Sequence, residues 1–415
     1  MLPESIPALQ IWQPAQAART SSPHSLANAL QTSRARTLAL LDAYEAALGP
    51  LLTVPCSPQL NPPLWELGHI GWFQEFWLAR NPQRSLGVQA DPQAARRPSL
   101  LPQADTLYNS SRVAHASRWH LPLPGLQATR AYLQATLEQT LAFLAREAAD
   151  DAALYFYRLA LFHEDMHGEA AIYMAQALGI ALAPALSGDE PARAIGPEQS
   201  LQLAAGDWLL GYADRGFAFD NELGPHAVQL AAYAIDDQPV AWRRYLPFVE
   251  EGGYADARWW SGPGWQWLQG QGSPRYLRQV AQARGAPVWE QCRFGLWQAL
   301  DPDAPACHLS YFEAEAWCRW AGRQLPSEAQ WERAAMTRPD FHWGEVWEWT
   351  ASTFNPYPGF EAHPYLDYSA PWFGDRPVLR GASRATSARM AHPRYRNYFT
   401  SERNDILAGF RSCAG

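Results

Sequence analysis

Two histidines four residues apart lie within one long helical pattern, and this feature constrains the fold more than any other. His163 and His167 fall in residues 155–178, which read YFYRLALFHEDMHGEAAIYMAQAL. Apolar residues recur there at helical spacing, and Gly179 follows where a helix would end. Both imidazoles then project from the same apolar face, one turn apart. The sequence therefore predicts a helix of about six turns whose apolar, inward face carries both histidines.

This spacing leaves several interpretations open. The pair can be core residues hydrogen-bonded to each other or to backbone, or neutral imidazoles that chelate one metal ion. Residues 163–167, HEDMH, also satisfy the H-E-x-x-H signature of zinc proteases, in which Glu164 is the general base. The pentapeptide alone excludes none of them.

The composition narrows the class of protein. With 415 residues the chain is long enough for two or three domains, and its net charge of −8 argues against a nucleic-acid partner. Its five cysteines are irregularly spaced, which predicts reduced thiols in the cytoplasm. The N-terminus does not resemble a secretion signal, and no apolar run is long enough to cross a membrane. The sequence makes no prediction of the oligomeric state.

Four helical patterns follow an irregular leader at residues 1–24. They cover residues 26–48, 63–80, 127–148 and 155–178. A long proline-rich connection separates the second from the third, as in a four-helix bundle with one crossover. We expect this bundle to occupy residues 25–185.

The second part of the chain has a different residue pattern. Short β-like runs alternate with glycine- and proline-rich turns, and two short helical segments occur at 242–251 and 311–321. We expect a domain of mixed helices and strands over residues 195–415. The predicted fold class is therefore α+β multidomain.

A third histidine, His69, lies on the second helical pattern. Bundles build metal sites from side chains on facing helices, so His69 can converge with the other pair. Three histidine ligands leave coordination positions open, as a catalytic metal requires. A lone histidine in such a position is also common in a protein core, and both interpretations remain.

Segments spread over most of the chain resemble one known family. In the helical part, NPPLWELGHIGWFQEFW and HEDMHGE resemble the iron-binding segments of the ergothioneine-type sulfoxide synthases. In the second part, LSYFEAEAWCRWAGRQLPSEAQWERA, GEVWEWTAS, VLRGAS and AGFRS resemble its sulfatase-modifying signatures. The resemblance implies a DinB-like four-helix bundle fused to a formylglycine-generating-enzyme-like domain of C-type-lectin-like topology. It also counts against the zinc protease, which has no reason to carry this second domain.

The resemblance further implies a mononuclear non-haem iron, Fe(II), and O2 as co-substrate. The implied ligands are His69, His163 and His167. Such enzymes join a chalcogen to C2 of the imidazole of hercynine, which is trimethyl-histidine. Glu169 is expected to orient a ligand histidine, whereas Glu164 and Asp165 are expected to face solvent or the domain interface.

The family's active-site tyrosine matches Tyr365 in YLDYSAPWF, with Tyr368 as the alternative register. Its implied role is to donate a hydrogen bond or a proton. The segment RNYF matches the family's substrate-binding R-N-W-D. Asn397 is retained, and Tyr398 replaces the tryptophan while keeping an aromatic face for the trimethylammonium group.

Several departures point to a changed donor pocket. Phe399 stands where relatives that use γ-glutamylcysteine or cysteine have an acid for the ammonium group, and Met166 replaces a glutamine. The donor loop reads NSSRVAHASRW, so Arg112, His115 and Arg118 lie outside the family frame. These features resemble the selenoneine synthase branch, which takes a 1-selenosugar (selenoglucose). A sugar has neither ammonium nor carboxylate.

We therefore expect O2-dependent C–Se bond formation between hercynine and a selenosugar, leading to selenoneine. One alternative is an ergothioneine-type enzyme with γ-glutamylcysteine or cysteine as donor. Others are the zinc protease and a non-catalytic metal-binding bundle fused to a ligand-binding domain. Formylglycine-generating activity is not expected, because Cys318 and Cys413 are isolated in the sequence rather than a reactive pair.

Overall fold

In the first part of the chain, four helices of 15 or more residues pack against one another. The computed structural model describes residues 12–188, 198–282 and 287–414. The helices of this part are α1 (Gln13–Arg19), α2 (Pro23–Leu48), α3 (Pro63–Trp77), α4 (Ala104–Tyr108), α5 (Leu126–Leu144), α6 (Asp151–Leu178) and α7 (Pro184–Ser187). No described helix combines the length and apolarity needed to cross a membrane.

The ends of α6 are set by local chemistry. The Asp150 carboxylate accepts from the amide of Ala153 at 2.9 Å, and Gly179 closes the helix with a left-handed φ of 68°. The predicted helix is thereby confirmed, with one more turn at its start. Its two histidines face α3.

Helix α1 lies in the stretch interpreted as an irregular leader, so that interpretation is wrong for residues 13–19; residues 1–11 lie outside the described ranges. The helix docks on the second part of the chain. Arg19 donates from both terminal nitrogens to Glu222, at 2.7 and 2.8 Å, and both side chains are buried. A partner so distant in sequence leaves no local pattern to detect.

The second part of the chain mixes strands and short helices, so the predicted α+β character is confirmed. Its helices are α8 (Trp242–Glu250), α9 (Gly262–Leu268), α10 (Tyr311–Trp320) and α11 (Glu328–Thr337). Its strands are β1 (Ser200–Leu203), β2 (Gly206–Leu210), β3 (His226–Leu230), β4 (Tyr233–Asp236), β5 (Leu277–Val280), β6 (Val288–Arg293), β7 (Leu296–Ala299), β8 (Arg323–Gln324), β9 (Trp347–Thr353), β10 (Pro377–Gly381), β11 (Asn397–Tyr398), β12 (Ala408–Phe410) and β13 (Cys413–Ala414).

Two four-stranded sheets organise this part within the described ranges. Their strand orders are β1-β4-β13-β8 and β11-β10-β9-β12, and β2-β3 and β5-β6-β7 form smaller sheets. The second sheet faces the bundle, because the indole of Trp347 on β9 donates to Glu169 on α6 at 2.7 Å. This contact brings β9 and β11 next to the histidine-bearing turns of α6.

Candidate active site

The structure brings His69, His163 and His167 together between α3 and α6. Their ligand nitrogens all lie within 4.8 Å of one another. The Nε2 atoms of His163 and His167 are 3.2 Å apart. His69 and His163 are each only 3% exposed. Two facing helices thus direct three imidazoles at one point.

The protein fixes the outer nitrogen of two of these rings. Nδ1 of His69 lies 2.7 Å from the carbonyl oxygen of Tyr108, and Nδ1 of His167 contacts the carboxylate of Glu66. A carbonyl and a carboxylate only accept hydrogen bonds, so each Nδ1 carries the proton and each Nε2 offers a lone pair.

Burial keeps the imidazoles of His69 and His163 neutral. It lowers the pKa of His69 to about 3 and the pKa of His163 well below its usual value. Burial alone would raise the pKa of the Glu66 carboxyl, but the adjacent His167 outweighs it and lowers that pKa to about 2. Glu66 is therefore a carboxylate, and His69 and His163 are neutral imidazoles, the form that binds metals.

This donor set fits a divalent metal ion. Two Nε2 lone pairs 3.2 Å apart repel each other unless a proton or a cation lies between them, and an ion about 2.1 Å from each nitrogen suits this spacing. Three imidazoles are suitable ligands for iron, zinc or copper and leave positions open for substrates.

Glu164 does not face solvent or the domain interface, so that expectation is wrong. It is 2% exposed and accepts from Arg34 at 2.7 and 3.0 Å and from Thr37 at 2.8 Å. Its carboxylate is committed to this ion pair inside the bundle, which leaves it unsuited to act as a general base. Asp165 lies between the two parts as expected, paired with Arg389 at 2.8 Å.

Glu169 contacts the second part of the chain and not a ligand histidine. Its donors are the indole of Trp347 and the hydroxyls of Ser383 and Thr386, at 2.7, 2.6 and 2.9 Å. The expectation that Glu169 orients a ligand ring is therefore wrong. That contact belongs to Glu66, which the sequence analysis missed although it precedes His69 by one turn of α3.

A cavity of about 200 Å³, here called the Asn397 cavity, opens beside His167. Its walls include Met166, Glu169, Trp347, Tyr395, Asn397 and Phe399. Three predicted substrate-binding residues, Met166, Asn397 and Phe399, are thus brought together next to a predicted metal ligand.

Tyr365 and Tyr398 line a second cavity of about 470 Å³, here called the Tyr365 cavity. Its other walls include Ser110, Ser111, Arg118, Asp367, Tyr368 and Trp372. Successive residues of a strand point to opposite faces, so Tyr398 on β11 turns away from Asn397 and Phe399. Asn397 and Tyr398, both predicted to bind substrate, therefore line different cavities.

Tyr365 and Tyr368 occupy different environments. The ring of Tyr365 lies edge-on to Phe73 at 4.9 Å and 6.4 Å from the ring of His163. Its hydroxyl has no hydrogen bond to any described residue, and burial raises its pKa, so it holds its proton. The hydroxyl of Tyr368 lies 3.1 Å from that of Tyr395.

Only one of the three predicted donor-loop residues lines either cavity. Arg118 lines the Tyr365 cavity. His115 places Nε2 2.9 Å from the carbonyl oxygen of Leu60, and Arg112 is exposed to solvent. The loop residues were predicted from their position alone, which does not define side-chain direction.

Comparisons with known proteins agree with this architecture. Residues 29–175 match the DinB superfamily, and residues 189–345 match the Sulfatase-modifying factor enzyme 1-like domain. The chain is 33% identical to the hercynine oxygenase of Mycobacterium tuberculosis, over 94% of this chain and 99% of that protein. This chain belongs to the hercynine oxygenase family.

Two further relatives match different shares of the chain. The hercynine oxygenase of Mycolicibacterium thermoresistibile is 32% identical over 94% of this chain and 95% of that protein. The formylglycine-generating enzyme of Streptomyces coelicolor is 28% identical but matches only 47% of this chain. In this member of the hercynine oxygenase family, a DinB helical domain precedes the formylglycine-generating-enzyme-like domain. The predicted fold class and the predicted family are confirmed.

Proposed function

We propose that this protein is an Fe(II)- and O2-dependent enzyme that joins C2 of hercynine to the selenium of a 1-selenosugar, leading to selenoneine. His69, His163 and His167 would hold the iron, which supplies the activation of O2. The observation that carries the choice of donor is the composition of the Tyr365 cavity. The chain's relatives, which are named hercynine oxygenases, support hercynine as the other substrate.

The Asn397 cavity suits hercynine. The rings of Trp347, Tyr395 and Phe399 and the carboxylate of Glu169 line it, and ring faces and a carboxylate both attract a trimethylammonium group. With that group held there, the substrate imidazole is directed toward His167. Asn397 offers an amide for the substrate's remaining polar atoms.

The Tyr365 cavity suits a sugar. Ser110 and the Ser111–Asp367 pair, in which the Ser111 hydroxyl donates to the carboxylate, line it with oxygens that can bond hydroxyls. The rings of Trp372 and Tyr398 cover the apolar faces that a pyranose presents. The loss of the acid at Phe399 removes one partner for an amino-acid ammonium group. A donor without such a group has no need of that partner.

Tyr365 lies between the two substrates and the histidines. Its hydroxyl has no hydrogen bond to any described residue, so it is available to a bound ligand. Because burial raises its pKa, the hydroxyl acts as a donor of a hydrogen bond or proton rather than as a base. The hydroxyl of Tyr368 is hydrogen-bonded to that of Tyr395, so Tyr368 serves as part of the cavity wall.

A second candidate is an ergothioneine-type enzyme with γ-glutamylcysteine or cysteine as donor. One observation favours it: Arg118 and Asp367 both line the Tyr365 cavity and offer opposite charges to a carboxylate and an ammonium group. The zinc protease has no comparable support, because Arg34 occupies the carboxylate of Glu164.

A donor competition tests these proposals. The protein is loaded with Fe(II) without oxygen, hercynine is added, and air is admitted with 1-seleno-β-glucose, γ-glutamylcysteine or cysteine. Mass spectrometry identifies the products. We expect a selenium adduct of hercynine and little thiol product. Product from the thiols alone would establish the second candidate, and no hercynine consumption with any donor would refute both.

A further inference from the structure

Arg118 contacts the surroundings of two of the three histidines. Its guanidinium lies 3.7 Å from the ring centroid of Trp65, and its NH1 donates to Oδ1 of Asn61 at 2.8 Å. The same side chain lines the Tyr365 cavity. Arg118 therefore borders the Tyr365 cavity and also contacts two residues, Trp65 and Asn61, that lie next to the histidine cluster.

Two short paths lead from Arg118 to the histidines. In the first, the amide of Asn61 donates to one carboxylate oxygen of Glu66, and the other oxygen accepts from Nδ1 of His167. In the second, the ring of Trp65 stacks on the imidazole of His69, with centroids 4.9 Å apart and planes 8° apart.

We propose that Arg118 is a positioning residue that couples occupancy of the Tyr365 cavity to the metal-binding histidines through Asn61 and Glu66. The proposal rests on the proposed function, in which a donor fills this cavity and a metal binds the histidines. A donor that engages Arg118 changes its bond to Asn61, and this alters the hydrogen bond that Glu66 makes with His167. Groups that hydrogen-bond to ligand histidines set their orientation and basicity.

Thermodynamic linkage gives a direct test. If the cavity and the metal site are coupled, the metal strengthens donor binding by the factor by which the donor strengthens metal binding. The probe is 1-thio-β-glucose, titrated by calorimetry without oxygen into the full-length protein in the presence of hercynine, with and without Co(II). In the unmodified protein, Co(II) is expected to tighten thiosugar binding at least about fivefold, and the thiosugar to shift the visible absorption of Co(II).

The decisive variant is Asn61→Ala, because Asn61 does not line the Tyr365 cavity. Thiosugar binding to the metal-free variant should match that of the unmodified protein, whereas the strengthening by Co(II) and the absorption shift should be largely lost. The control is Arg84→Met. Like Arg118, Arg84 lies on the connection between α3 and α5 and stacks on a ring, that of Phe143 at 4.4 Å. Unlike Arg118, it pairs with Glu147 and does not line the Tyr365 cavity.

The outcomes separate the two proposals. Undiminished coupling in Asn61→Ala would mean that the donor acts on the metal directly. This result would overturn the proposed role of Arg118 and leave the sugar donor standing. Equal thiosugar affinity with and without Co(II) in the unmodified protein overturns it as well. No thiosugar binding to either form would refute the sugar donor, and the coupling with it.

Discussion

The ring of Phe73 lies flat against the imidazole of His163, with centroids 3.6 Å apart and planes 4° apart. Of the three clustered histidines, His163 is the one whose Nδ1 has no hydrogen-bond partner among the described residues. The other two rings are oriented by hydrogen bonds to Tyr108 and Glu66. Stacking on Phe73 therefore orients the third.

Phe73→Leu is expected to weaken metal binding about tenfold, because loss of a group that orients a ligand ring has a cost of this order. Anaerobic titration with Co(II) measures it. Phe76→Leu is the control, since Phe76 lies one turn further along α3 and packs on Trp72 and Trp77. Equal losses in both variants would mean that α3 had loosened generally.

Tyr365→Phe is expected to lower product formation by about a hundredfold, the scale of a lost proton donor. Hercynine binding should not change, because Tyr365 does not line the Asn397 cavity. Tyr368→Phe should affect product formation far less and cost about 1 kcal/mol of unfolding free energy, through the lost bond to Tyr395. Single-turnover rates and urea unfolding measure the two effects, and the reverse pattern would assign catalysis to Tyr368.

Removal of the Glu164 carboxylate is expected to destabilise the bundle. Glu164→Ala leaves Arg34 buried without its main partner, which costs about 3–5 kcal/mol of unfolding free energy. The double variant Arg34→Met/Glu164→Met should recover most of this loss, because it buries no unpaired charge. Urea unfolding checks both. Lost activity with unchanged stability in Glu164→Gln would restore the general-base interpretation.

Glu313 should make the stability of the protein depend on pH. Burial raises the pKa of its carboxyl to about 7, despite hydrogen bonds from Tyr254 and Ser310 that favour the charged form. The folded pKa is higher than the unfolded value, so the stabilising contribution is complete below about pH 4.5 and is lost as pH rises through about 7.

Relative to Glu313→Gln, the protein should lose at most about 3 kcal/mol of unfolding free energy between these pH values. Urea unfolding of both proteins from pH 4.5 to 8 measures the difference. Glu315→Gln, a change on the exposed side of the same helix, is the control. A difference that does not vary with pH would contradict the raised pKa.

Local pattern was sufficient for the helices that carry the histidines. The apolar period of residues 155–178 and the glycine after it predicted α6, and i, i+4 spacing predicted that His163 and His167 share a face. His69 followed from the logic of a bundle. The resemblance of YLDYSAPWF to the family's active-site segment pointed to Tyr365, and the structure brings this residue close to Phe73 and His163. The domain limits and the cytoplasmic location stay predictions.

Other features depend on partners far away in the sequence. Glu169 has the spacing of a residue that supports a ligand, yet its hydrogen bonds go to Trp347, Ser383 and Thr386. Glu164 was expected near the surface, but Arg34 on α2 draws it into the bundle. A hydrophobic period reports which face of a helix is buried, and it does not report which buried charge will meet which.

The sequence by itself determined the helix that presents two histidines, the order of the two domains and the family, because helical period and motif order are local properties of the chain. Only the tertiary structure decided that Glu66 supports His167 and that Tyr398 and Phe399 line different cavities. Those facts depend on how α3 packs on α6 and on which face of β11 meets the bundle. Side-chain direction at such a junction results from packing between elements distant in the chain.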